Sequence, residues 1–232
     1  MDIISALQSI WEGFDFTYIL GILMGLLPAL ICITFHELSH GYVAWRLGDD
    51  TAKNMGRLSL NPLRHLDVMG LLMMLVFRVG WAKPVPVNMY RFKNPKRGMA
   101  LTSLAGPLSN ALLAVLFLFV YGLGYIPLGF SKLGSYILGM LQLGAYLSIG
   151  LCVFNLIPVP PLDGSKVLFS LIPDDKYRLL MRYERYGMIV MFLLVATGLL
   201  GKPLSLAIDF IYGRLIFIAQ LGCDLVYNLF YV

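Results

Sequence analysis

Three observations predict an all-α polytopic membrane protein of about five transmembrane helices plus a short re-entrant or hairpin segment. Of the 232 residues, 59% are hydrophobic and only 13% charged, too apolar for an ordinary soluble domain. The apolar residues gather into runs long enough for helices to cross a bilayer, which takes about 20 residues each. Lys and Arg concentrate between alternate runs, the asymmetry that sets membrane topology. The formal charge of +5 therefore reports orientation, not nucleic-acid binding, and the partner that composition implies is the lipid bilayer.

The first run, Thr17 to Arg46, is longer than a span requires and predicts a tilted or protruding helix. Residues 46 to 98 are the most basic stretch, with ten Lys and Arg against Asp49, Asp50 and Asp67, which marks the cytoplasmic side. Inside it, Val68 to Phe77 is apolar but too short to cross, so a re-entrant or hairpin segment is expected. Trp81 to Asn88 alternates Val and Pro, as an exposed extended edge would. The second span, Met99 to about Tyr125, exits into a loop holding only Lys132, the outside loop. The third, Tyr136 to Ile157, returns and runs into Pro158, Pro160 and Pro161, where no helix continues and the backbone must open. Residues 163 to 186 are again basic and cytoplasmic. A fourth span, Tyr186 to Leu200, goes out and Gly201-Lys202-Pro203 turns it. Leu204 to about Phe230 returns as a last helix despite Asp209, Arg214 and Asp224. The N-terminus, with Asp2, Glu12 and Asp15 and no basic residue, is expected outside, and Met1 to Gly13 does not read as a signal peptide. These runs form a single domain over 1–232, with a core at 14–200 and an additional C-terminal helix at 204–230. Cys32, Cys152 and Cys223 each sit inside an apolar run as packing residues, with no disulfide spacing.

Against this background Phe35-His36-Glu37-Leu38-Ser39-His40-Gly41 stands out, because it puts two of the three histidines at the end of a span. Ionisable groups at membrane depth are costly and mark function. On a helix His36 and His40 share one face and suit a single metal, with Glu37 placed to reach a metal-activated water without being a ligand. A hydrolytic zinc site takes three protein ligands and leaves one position for water. His65, Asp163, Glu184 and Asp209 are candidates for the third. Asp163 is favoured, since it follows the helix-breaking run on the same membrane side and at a similar depth as His40, and a carboxylate adds charge that stabilises a divalent ion. Asp163 would also serve as the N-cap of a helix beginning near Ser165.

The chain resembles the site-2 protease family of intramembrane zinc metalloproteases. The resemblance rests on Phe35 to Gly41, on Gly106-Pro107-Leu108-Ser109-Asn110, and on Asn155-Leu-Ile-Pro158-Val-Pro160-Pro-Leu162-Asp163-Gly164, in the family's order, and covers Phe14 to about Leu200. Asn61-Pro62-Leu-Arg-His65-Leu-Asp67 and Gly80 to Asn88 resemble a small prokaryotic branch without PDZ or CBS domains. The resemblance implies one Zn2+ per chain held by His36, His40 and Asp163, with Glu37 as general base. It makes Asn155 a candidate for binding substrate backbone or a developing oxyanion, and Asn110 for the substrate or for helix packing. His65 is expected as a loop histidine satisfied by backbone, a substrate-side or gating residue, or an auxiliary ligand.

The activity so implied is hydrolysis of peptide bonds in transmembrane or membrane-proximal segments of other membrane proteins, in a prokaryotic plasma membrane, with the site toward the cytoplasm. A substrate helix must unwind before attack, and Trp81 to Asn88 could receive it as an added strand. Two other classes use the same ligands. A metal transporter would need polar residues tracking across the bilayer, and the first three spans carry few. A silent scaffold that binds membrane helices would not need Glu37.

Overall fold

The computed structural model describes residues 16–70, 72 and 82–230. In order, its helices are α1 (Phe16–Arg46), α2 (Thr51–Asn54), α3 (Pro95–Leu128), α4 (Lys132–Asn155), α5 (Asp163–Ser170), α6 (Asp174–Ala196), α7 (Gly201–Leu215) and α8 (Phe217–Phe230), with short 3-10 turns at Pro62–Arg64 and Met89–Arg91. The described residues are all-helical apart from loops; an isolated antiparallel bridge between Leu66 and Ala82 is the sole β pairing among them. Most of the segment expected to be re-entrant, and Trp81, lie outside the described residues.

Among the described residues, three helical stretches are long and apolar enough to cross a membrane: Pro95–Leu128, Lys132–Asn155 and Gly201–Phe230. The helix at Asp174–Ala196 begins well before the expected fourth span, and its apolar part, Tyr186–Ala196, is shorter than a crossing. Pro28 in α1 and Pro107 and Pro127 in α3 are carried inside helices, as membrane helices tolerate when neighbours satisfy the freed backbone groups.

The middle of the molecule is α3, which packs against α1, α4, α5 and α8. Cys32 of α1, Leu113, Phe117 and Leu118 of α3 and Ala145 of α4 form one buried cluster, and Ala114, Ile149 and Ile208 extend it toward α7. Small residues permit these approaches. A Cβ on Gly144 would meet the Phe117 ring at 2.9 Å, and one on Gly222 would meet the Phe119 carbonyl at 2.6 Å. The outward faces remain apolar: Leu108, Leu112 and Leu116 of α3 are all more than half exposed. That is the surface a lipid solvent accepts and water does not.

The 3-10 turns, α2 and the extended residues between them cover one end of this bundle. Each short turn is capped by an asparagine, Asn61 accepting from the Leu63 N–H and Asn88 from the Tyr90 N–H. Asn94 caps α3 in the same way, just ahead of Pro95, the residue order that starts helices.

Candidate metal centre

Helix periodicity sets His36 and His40 on the face of α1 that meets α3, their rings 4.6 Å apart and nearly perpendicular. Their Nε2 atoms lie 3.0 Å from each other. His40 Nδ1 lies 2.7 Å from the Thr102 carbonyl of α3. A carbonyl only accepts, so Nδ1 carries the proton and Nε2 keeps its lone pair. His36 Nδ1 is 3.1 Å from the Asn110 amide nitrogen. Asn110 is fully buried and its Oδ1 has no partner. A half-turn of that amide lets Oδ1 accept the His36 Nδ1–H, which satisfies the buried oxygen and leaves Nε2 of His36 unprotonated too.

Gly106 makes this packing possible. A Cβ there would fall on the His40 ring and within 2.6 Å of His36 Cε1.

The third group arrives from the opened backbone. The α4 helix ends at Asn155, the chain turns through the proline run with a cis bond between Pro160 and Pro161, and α5 starts at Asp163. Leu162 is the N-cap residue, and Asp163, in the first turn, makes no capping bond. Its Oδ2 lies instead 3.2 Å from His36 Nε2 and 3.1 Å from His40 Nε2. Gly164 lets α5 close on α4, since a Cβ would sit 2.7 Å from the Ile157 carbonyl. Burial pushes the Asp163 carboxyl up; without a metal, hydrogen bonds and charge from His36 and His40 once protonated at Nε2 outweigh it, holding the group well below the usual carboxylate range.

These three form the cluster of potential metal ligands among the described residues, all buried, their donor atoms within 4.8 Å of one another. Two imidazole lone pairs facing each other are unfavourable unless a cation lies between them. Two neutral imidazoles and a carboxylate with one open side match a hydrolytic zinc site, so the residues fit that ion.

Glu37 points along the same wall. Its Oε2 accepts the Val85 N–H at 2.8 Å. A cavity of about 400 Å³ lies in front, lined by His36, Glu37, His40 and Asp163 and walled by Pro84, Val85 and Val87. The wall is held from behind by buried polar groups. Asp49 accepts the Asn88 N–H at 2.6 Å, Arg57 donates to the Lys83 carbonyl at 2.7 Å, and the His65 carbonyl accepts the Lys83 N–H at 2.9 Å. The backbone N–H groups of Lys83, Val85 and Asn88 are thus all engaged. Expected as an exposed extended edge, residues 83–88 are extended but pinned.

Asn155 lines the cavity while giving one amide proton to the Leu151 carbonyl of its own helix at 3.0 Å. His65 is 1% exposed and lies apart from the three-residue cluster, with Nε2 2.8 Å from the Ser59 carbonyl and Nδ1 without a partner. Asp209 accepts from the Tyr146 hydroxyl at 3.0 Å, and Cys32 is turned toward Ser148 at 3.0 Å, both away from the cluster. The Glu184 side chain lies outside the described residues. Sequence reasoning did not single out Thr102, Asp49, Arg57 or the Val85 amide. Acidic Asp49 inside a basic stretch was the one available signal.

The model of peptidase family M50 matches residues 129–199. The chain is 42% identical over 173 residues to "Putative zinc metalloprotease YwhC" of Bacillus subtilis, covering 73% of this chain and 78% of that protein. "Putative zinc metalloprotease Rip2" of Mycolicibacterium smegmatis is 31% identical over 75% of this chain and 66% of its own length. "Putative zinc metalloprotease MJ0611" of Methanocaldococcus jannaschii is 33% identical over 58% of this chain and 63% of its own. No solved structure is significantly similar. A helical protein with membrane-crossing segments and a His-His-Asp cluster is of the integral-membrane metallopeptidase class. The chain belongs to peptidase family M50, the site-2 protease family of zinc metalloproteases.

Proposed function

We propose that the protein is an intramembrane zinc metalloprotease, cutting peptide bonds in or beside transmembrane segments of other membrane proteins. His36, His40 and Asp163 hold one zinc and Glu37 is the general base. The observation that carries this reading is the convergence of His36 Nε2, His40 Nε2 and Asp163 Oδ2 beside Glu37 in one cavity. When bound, zinc supplies a Lewis acid for the scissile carbonyl and lowers the pKa of the attacking water.

The chain's own groups do the rest. The Val85 N–H holds Glu37 Oε2, which leaves Oε1 to take the water's proton and later return it to the leaving amine. Thr102 and Asn110 fix the two imidazoles in the tautomer that presents Nε2. The second Asn155 amide proton, not given to Leu151, is the donor for a substrate carbonyl or developing oxyanion. His65 holds the Lys83 N–H through its carbonyl and so supports the wall.

Support for a membrane-borne substrate comes from a second cavity of about 310 Å³, mostly apolar, which runs from Leu26, Leu30 and Ile33 of α1 past Phe154 of α4 to His36 and Glu37. An unwound stretch of a transmembrane helix matches that lining. The 1–232 domain crosses the bilayer about five times, α1 included and the short apolar part of α6 completed by residues 197–200, with the N-terminus outside and the site toward the cytoplasm. The basic residues that flank the site end of the bundle favour this orientation, and relatives in bacteria and an archaeon fit a prokaryotic plasma membrane.

The test is Glu37→Gln in the full chain. Zinc content near that of wild type with cleavage of a membrane-helix substrate abolished is the expected result; continued cleavage refutes the role of Glu37.

A further inference from the structure

Away from the metal cluster, at the same end of the bundle, a third cavity, of about 400 Å³, opens between the end of α1 and the start of α3. Arg46, Lys93 and Arg97 line it with Asn94, and no acidic side chain lines it among the described residues. The nearest sequence carboxylates are engaged elsewhere: Asp49 accepts from the Asn88 N–H, and Asp50 pairs with Arg91. Three cations sharing a concave site without a counter-charge repel one another unless an anion joins them.

What lies beneath the cavity decides which anion. On α3, Arg97, Leu101, Leu108 and Leu112 fall on one helix face, and the three leucines are 41%, 57% and 72% exposed. On α1, Arg46, Tyr42 and Phe35 likewise share a face, with Tyr42 50% and Phe35 41% exposed. Each cation thus heads an exposed apolar stripe of its own helix. Lipid acyl chains cover such stripes, and the cations then lie where phosphate headgroups lie, with Tyr42 at the interfacial depth aromatic side chains favour.

We infer that Arg46, Lys93 and Arg97 form a binding site for the phosphate headgroup of an anionic phospholipid, whose acyl chains lie along the Leu101–Leu108–Leu112 and Tyr42–Phe35 stripes. The site stands beside the catalytic wall without being part of it. Arg46 is six residues beyond His40, and Arg97 five before Thr102, whose carbonyl holds His40. A bound headgroup ties together the end of α1, which carries His36 and His40, and the start of α3, whose Thr102 carbonyl orients His40.

The experiment is intact-complex mass spectrometry of the purified full chain in neutral detergent, titrated with phosphatidylglycerol, with phosphatidylcholine, or with phosphatidylglycerol plus millimolar inorganic phosphate. One tightly retained phosphatidylglycerol is expected, which phosphatidylcholine does not replace and phosphate does not displace. In R46Q/K93Q/R97Q its affinity falls by about a hundredfold, at roughly a kcal/mol for each basic residue near a lipid surface. R46K/R97K, which keeps the charge, and K132Q/K202Q, which removes charge elsewhere, retain it. Circular dichroism establishes that each variant keeps wild-type helicity; should the triple variant unfold, R97Q alone is used, with a severalfold loss expected. Equal retention of phosphatidylcholine, unchanged affinity in the triple variant, or an equal loss in K132Q/K202Q overturns the site. Displacement by inorganic phosphate overturns the lipid in favour of a soluble anion.

Discussion

Glu37 Oε2 accepts a hydrogen bond from the backbone N–H of Val85 at 2.8 Å, across 48 residues of sequence. One oxygen of the proposed base is therefore fixed by main chain and the other is left to the cavity. Val85→Pro removes the N–H in a segment already flanked by Pro84 and Pro86, so the backbone is suited to it. Loss of a hydrogen bond to a charged group costs about 1.5–3 kcal/mol, which predicts a fall in kcat/KM of roughly 10- to 150-fold with zinc content unchanged. Val85→Ala keeps the amide and should stay near wild type. Paired cleavage assays and metal analysis check both.

Gly106→Ala should weaken zinc binding although no proposed ligand is replaced. The added methyl falls on both imidazoles, so either α3 retreats or the rings swing away from Asp163. Displacing a group that orients metal ligands weakens binding by about 10- to 100-fold. Competition with a chromophoric chelator measures the change.

Asp49 and Arg57 are expected to act on activity through the wall they hold. Asp49→Asn puts an amide where the Thr51 and Asn88 N–H groups require an acceptor, and Arg57→Met frees the Lys83 and Pro84 carbonyls. Each should destabilise the protein by about 1–3 kcal/mol, read by thermal unfolding. Cleavage should fall further than zinc occupancy in both, because the proposed zinc ligands lie on α1 and α5, outside the wall.

In metal-depleted protein, Asp163 gives a pH signature. Its carboxyl is held below the ordinary 3.8 in the folded chain, so the stabilisation it contributes is present above that value and is lost as pH falls through the lower folded-state value. The difference in Tm between wild type and Asp163→Asn should be largest once His36 and His40 are protonated and shrink below about pH 4.

The metal cluster was legible to the extent that its chemistry is local or costly. The i, i+4 spacing of His36 and His40 fixes a shared helix face, and three prolines force the backbone to open where Asp163 follows. The rest is set by tertiary contact. Nothing in the Lys83 to Asn88 stretch announces that Asp49, Arg57 and His65 hold it, because partners 18 to 39 residues away leave no periodicity. Thr102 serves through its carbonyl, which every residue has. The outer limits of the helices were blurred for a different reason: charge marks where a chain leaves the bilayer, not where a helix ends, so α6 begins among charged residues well ahead of Tyr186.

The most direct test is zinc-edge X-ray absorption on the purified full chain. Two imidazole nitrogens and one carboxylate oxygen in the first coordination sphere, with the carboxylate contribution lost in Asp163→Asn, is the result the structure predicts. A sulfur shell, or a spectrum unchanged by Asp163→Asn, would contradict it.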